Sequence, residues 1–226
     1  TLEVENSKEK KAKRKSNSIR NTTSQFVFAM GVNNVLEGHK LSSLEESEYQ
    51  FWQSHFYEVG YTWKSSFSKK FMPLHFKYGV SFLWNNLRPK NNQQHIMNGN
   101  MISLATRIDE ELSESRLRHV QMNFPIHLEW DFSKRKKSDK KAVRIGVGTF
   151  IGFKLGTRQF LEYINLEGVD VEEVQYGNFN MNTVNYGVSA YAGYQSTSLY
   201  VKYDVNPLFK NTKTRNISIG VRLDLN

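Results

Sequence analysis

Ten charged residues at alternating positions are the first candidates for chemistry in this chain: Glu58, Lys77, Glu129, Asp131, Arg144, Lys154, Lys202, Asp204, Arg222 and Asp224, with His75 and His127 among them. Carboxylates, amines and imidazoles gathered on one surface could relay protons or line a narrow ion path. Charges of both signs confined together must also find partners, and paired they make a plug. Mixed signs on neighbouring segments favour the plug. A hydrolytic reading needs a nucleophile and a base. His119, Ser81 and Glu58 have the right types, but no spacing ties them together, so no catalytic residue is assigned and no enzyme is expected. His39, His55 and His95 are scattered, and the acidic stretches lack a Ca²⁺-loop spacing, so neither metal nor cofactor is expected. With no cysteine there is no disulfide, thiolate ligand or thiol nucleophile.

The formal charge is +9, but it is distributed by segment. Residues 1–23 carry seven Lys/Arg against three Glu, a balance of +4, and are expected to form a basic tail. Ser133–Lys141 holds Lys134, Arg135, Lys136, Lys137, Lys140 and Lys141 against Asp139 alone, a balance of +5. Asn34–Gln50 sums to −3 and Gly156–Asn182 to −4. One-sided charge of this kind fits contact with anionic head groups or docking to an acidic protein partner.

Eight segments with period-2 alternation position these residues. Arg118–Leu155 is the most regular, two strands of about thirteen residues each, roughly twice the usual length. Val120, Met122, Phe124, Ile126, Leu128, Trp130 and Phe132 share one face of the first; Val143, Ile145, Val147, Thr149, Ile151, Phe153 and Leu155 share one face of the second. The remaining strands are expected at Gln25–Asn33, Phe51–Lys64, Met72–Trp84, Val184–Tyr194, Leu199–Asn206 and Ile217–Leu225. Asn86–Arg116 and Gly156–Asn182 read as long loops. The fold class is all-β, an eight-stranded antiparallel up-and-down transmembrane β-barrel over residues 24–226.

Volume decides which face is inside. An eight-stranded barrel has an interior just wide enough for modest side chains, and the bulky apolar set exceeds it. The apolar faces therefore point to lipid, with aromatic residues such as Trp63, Trp84, Trp130, Tyr186 and Tyr194 near strand ends. No run is long enough for a membrane helix. Long links alternate with short ones (Ser65–Lys70, Ser133–Lys141, Gln195–Ser198), which places the termini in the periplasm and the long loops outside a bacterial outer membrane. The numbering is expected to begin at or inside a mature product, since Thr1 opens a polar segment.

The stretches FVFAMGVNN (Phe26–Asn34), LHFKYGVSFLW (Leu74–Trp84), FPIHLEWDFS (Phe124–Ser133), LYVKYDVNPLFK (Leu199–Lys210) and ISIGVRLDL (Ile217–Leu225) resemble the PorT-like outer-membrane barrels of the Bacteroidota, themselves distantly similar to OmpA- and OmpX-type barrels. The ending Leu225–Asn226 departs from the aromatic terminus of many such barrels. That resemblance implies no catalytic motif. It implies a structural or accessory subunit of an envelope machine, in protein secretion or outer-membrane assembly. The alternative is a small monomeric pore or ligand-binding barrel using its long outer loops. Expected partners are outer-membrane lipid or lipopolysaccharide and other envelope proteins, with no role for nucleic acid.

Overall fold

The computed structural model describes residues 22–67, 73–132 and 143–225; the basic turn Lys134–Lys141 and nearly all of the basic tail lie outside them. Eleven strands occur in this span: β1 (Thr22–Glu37), β2 (His55–Ser66), β3 (Leu74–Leu87), β4 (Gln93–Asn98), β5 (Met101–Thr106), β6 (Leu112–Asp131), β7 (Val143–Ile164), β8 (Asp170–Tyr176), β9 (Val184–Tyr194), β10 (Thr197–Asp204) and β11 (Thr214–Leu225). Eight close an antiparallel ring in the order β1-β2-β3-β6-β7-β9-β10-β11. Closure comes from β1 and β11, paired from Phe26↔Leu225 to Glu37↔Thr214. A closed ring leaves no unpaired edge inside the barrel wall, which lipid requires.

Burial is inverted relative to a water-soluble core. Lys77, Gln121 and Glu129 are 0% exposed, whereas Ile126 is 47% and Val147 46% exposed. Only a hydrocarbon solvent makes that the favourable arrangement, so the exposed belt is the lipid-contacting surface of a transmembrane barrel. Aromatic side chains flank it. Trp63 stacks on Tyr78 at the end where Thr22 and Leu225 lie, with ring centroids 5.7 Å apart; Phe82–Trp84 and Phe124–Phe153 pair toward the other end. The first is called the turn end below and the second the loop end.

The interior is less uniformly small than its sequence implies. Phe56, Leu83, Tyr191 and Tyr200 are fully buried in it. One inward row accommodates them by alternating size: Phe56 on β2, Gly31 on β1, Gly220 on β11, Tyr200 on β10, Tyr191 on β9 and Gly146 on β7. A Cβ at Gly146 would lie 2.2 Å from Cζ of Tyr191. Glycine is needed there because the ring lies across the backbone.

Two of the expected loops are strands. β6 begins at Leu112 and β7 runs to Ile164, so this hairpin projects beyond the ring, and β8 pairs with it from Ile164↔Asp170 to Arg158↔Tyr176. β4 and β5 form a separate hairpin around Gly99, at φ 61°, where the first turn position favours glycine. The inward positions of the projecting β6–β7 hairpin mix apolar and polar residues, Leu117 and Leu161 with Thr157 and Gln159, so burial alternates there without a clean apolar–polar alternation in the sequence. Conversely, Phe51–Ser54, expected as strand, is a turn, and β2 starts at His55.

Above the ring the loops build a second core. Val35, Tyr49, Leu87, Leu117, Phe179, Met181, Leu208 and Phe209 pack together, with Ile102 and Leu104 of β5 against them. His95 anchors the β4–β5 hairpin to this cap. Its Nε2 lies 2.8 Å from the Tyr49 hydroxyl, and its backbone N–H donates to Gln159 Oε1 at 2.8 Å. Burial pushes the imidazole down to about 4 from its ordinary 6.5, and the Gln159 contact only partly opposes this. A histidine depressed in the folded state contributes fully above its unfolded value. Its contribution, about 3 kcal/mol at most, is lost as pH falls from about 6.5 toward about 4. Hydrogen-exchange protection factors over residues 93–106, taken relative to the intrinsic rate at each pH, are therefore expected to fall between about pH 7 and about pH 4.5 in wild type but not in His95→Gln. Equal pH response in both would refute this role for His95.

Candidate functional site

Period-2 alternation on the ring strands sends every second side chain inward, and the register stacks these into layers. Nearest the turn end, Asp131 on β6 faces Arg144 on β7. Lys64 on β2 donates to Asp131 and lies 2.7 Å from Glu129 Oε1. One layer deeper, Lys77 Nζ sits 2.7 Å from Asp224 Oδ1 and 3.5 Å from Glu129 Oε2, while the Tyr191 hydroxyl donates to Glu129. Asp224 also takes Arg222 at 3.0 Å and Arg144 at 3.6 Å. The Arg222 guanidinium lies over the rings of Tyr191 and Tyr200, 4.6 and 5.6 Å from their centroids.

Toward the loop end the pattern changes from carboxylate bridges to a sparser set. Glu58 accepts from Ser81 and from Tyr200 and lies 3.6 Å from Lys202. Lys202 in turn lies over the Phe150 ring at 4.1 Å. His127 Nε2 meets Ser189 Oγ at 2.8 Å. The last layer is neutral: Asn85 and Gln121 both donate toward His119 Nε2, at 3.1 and 3.0 Å, and Asn185 donates to Gln121. Two donors on one ring nitrogen place the His119 proton on Nδ1.

Nine of the charged residues singled out from the sequence line this lumen. Lys154 does not belong to it; partly exposed near the loop end, it donates to Asn178. Lys64 takes its place. With that exchange, among the described residues five cations (Lys64, Lys77, Arg144, Lys202, Arg222) face five carboxylates (Glu58, Glu129, Asp131, Asp204, Asp224), and their formal charges sum to zero. Asp204 is buried but forms no ion pair within 4 Å among the described residues, and its Oδ2 has no hydrogen-bond partner. His75 is half-buried at the turn-end mouth, its Nδ1 3.1 Å from the Pro73 carbonyl.

Sequence reasoning missed Tyr191, Tyr200 and Lys64. Their inward parity was legible, but nothing local shows that the two tyrosines reach carboxylates on strands far along the chain. The hydrolytic set does not assemble. Ser81 donates to Glu58, whereas His119 is engaged by Asn85 and Gln121, and all three candidates are buried.

Comparisons with known proteins add little to this geometry. No family model matches the chain, and no curated protein matches it. Among solved structures it is similar to Ail, the attachment invasion locus protein of Yersinia pestis, in complex with the heparin analogue sucrose octasulfate. That likeness covers 91% of this chain and 99% of the other at 9% identity, with a TM-score of 0.34. A triple mutant of Rhodopseudomonas blastica porin is matched over 90% of this chain and 100% of its own at 10% identity, TM-score 0.20. Scores this low carry no argument. The fold rests on the closed register, and the PorT-like resemblance stays an expectation.

Proposed function

We propose that this chain is a non-enzymatic outer-membrane β-barrel whose interior is a structural plug, and that it acts as an accessory or structural subunit of an envelope complex. Protein secretion and outer-membrane protein assembly are the settings its sequence resemblance favours. The observation that carries this reading is the filled lumen. Lys77 and Glu129 near its turn end and His119 and Gln121 near its loop end have no exposure at all, and the loop-end cluster around Leu208 and Met181 packs above the ring. An ion path needs water along the bore, and side chains here occupy that space. What the protein does then falls to its surfaces.

The charge of Lys134, Arg135, Lys136, Lys137, Lys140 and Lys141 supports an acidic envelope partner at the turn end, and the short links at that end support its facing the periplasm. Purification from membranes in mild detergent, followed by cross-linking and mass spectrometry, tests this. A stoichiometric partner that dissociates when Lys134–Lys141 is neutralised is the expected result. A lone monomer with steady single-channel conductance in planar bilayers would overturn the reading in favour of a small pore.

A further inference from the structure

The outward face of the projecting β6–β7–β8 sheet is ordered by charge. Arg118 on β6 stands directly opposite Arg158 on β7, and Arg158 stands opposite Tyr176 on β8. The next outward row is Arg116, Phe160 and Val174; the one beyond is Glu114, Glu162 and Glu172. Below the arginine row lies the rim of the apolar belt: Val120 pairs with Trp84, and Trp84 with Tyr57. The arginines thus occupy the level where a bilayer's head groups meet its hydrocarbon.

Like charges directly opposite on adjacent strands repel. Glu114 does not relieve this pair, being engaged by Arg116 at 2.8 Å and Arg88 at 3.0 Å. Among the described residues neither Arg118 nor Arg158 has a carboxylate within 4 Å. Both are nonetheless held in place. Arg118 lies 5.1 Å from the Phe160 centroid and donates its Nε to Asn86 Oδ1 at 2.8 Å; Arg158 lies 4.9 Å from the Tyr176 centroid. Ring faces fix the guanidinium planes and leave N–H edges free, the preorganised fork that suits phosphate oxygens. The carboxylate row, ~13 Å further along the strand, disfavours an anion approaching from the loop side. An anion reaching the arginines comes along the membrane surface.

We propose that Arg118 and Arg158, flanked by Arg116, clamp a phosphate of a lipopolysaccharide-type lipid in the leaflet around the loop end. This rests on the reading of the belt as membrane-embedded. The test uses the barrel folded in detergent micelles and titrated with diphosphoryl lipid A under native mass spectrometry. Wild type is expected to retain the lipid, and Arg118→Gln/Arg158→Gln to bind it at least about tenfold more weakly, each lost charge-assisted contact being worth that order. Folding of the variant is checked by heat-dependent gel mobility, and the single, exposed Arg158→Gln gives an intermediate loss should the double variant not fold. Equal retention by wild type and variants overturns the clamp. Retention of inorganic phosphate by wild type but not by the double variant, with no retention of lipid A, overturns the lipid assignment and marks a free-anion site. A wild-type chain that stays in solution without detergent overturns the membrane reading itself, and with it the clamp.

Discussion

Lys77→Met is expected to lower the stability of the folded barrel by about 3–5 kcal/mol, the cost of leaving buried charge uncompensated. The substitution keeps the bulk of the side chain but turns a balanced lumen into one with four cations and five carboxylates. Glu129 retains Lys64, and Asp224 retains Arg222 and Arg144. Each carboxylate nevertheless loses its contact to a side chain with 0% exposure, where water cannot substitute. Lys64→Met should cost less, because Glu129 keeps Lys77 and the other carboxylate left behind, Asp131, is 12% exposed at the turn-end mouth, where solvent screens it. Urea titration of the barrel in lipid vesicles, read by tryptophan fluorescence, measures both. A Lys77→Met barrel within about 1 kcal/mol of wild type, well below the penalty for breaking a buried pair, would mean the network does not hold the interior together.

Val147→Arg should cost about 2–4 kcal/mol, the penalty for a guanidinium at the midplane of a lipid-facing strand. Val147 is outward, 46% exposed, and flanked by Leu128 on β6 and Ala190 on β9, with no polar neighbour in its row. Two positions on, Thr149→Val adds a methyl in place of a hydroxyl on the same face and should be tolerated or mildly stabilising. The same titration separates the two. In a soluble protein the order would reverse, since an exposed arginine costs nothing in water. Indifference to Val147→Arg would therefore refute the lipid contact of the belt.

The interior shows how buried polar groups substitute for an apolar core when the outside is hydrocarbon. Buried ion pairs seldom add net stability over apolar replacements. Here their service is geometric. Glu129 reaches Lys64 and Lys77 on two strands and Tyr191 on a third, while Asp224 collects Lys77, Arg144 and Arg222. Two carboxylates thereby tie together β2, β3, β6, β7, β9 and β11, and only the native register satisfies all of these contacts at once.

What the sequence determined by itself was whatever repeats every second residue. Val147 out and Arg144 in, or Ile126 out and His127 in, follow from backbone geometry, because successive side chains must point to opposite faces. Ring closure and the lipid-facing sense of the apolar stripe follow from volume. The strands beyond the belt gave no such signal. Around Arg116–Arg118 and Phe160 the inward face is buried by Leu117, Thr157, Gln159 and Leu161, part apolar and part polar, while the outward face carries Phe160 among arginines, so side-chain burial alternates but hydropathy does not. Partners within the lumen were also beyond local reading. Whether Lys64 or Lys154 joins the network depends on where β2 and β7 sit around the ring and on how far along its axis each charge falls. The facing of Arg118 by Arg158 depends likewise on an irregularity in the pairing after Val120↔Gly156, which restores an outward arginine to β7. Parity is a property of each strand alone; register and closure are properties of all eight together.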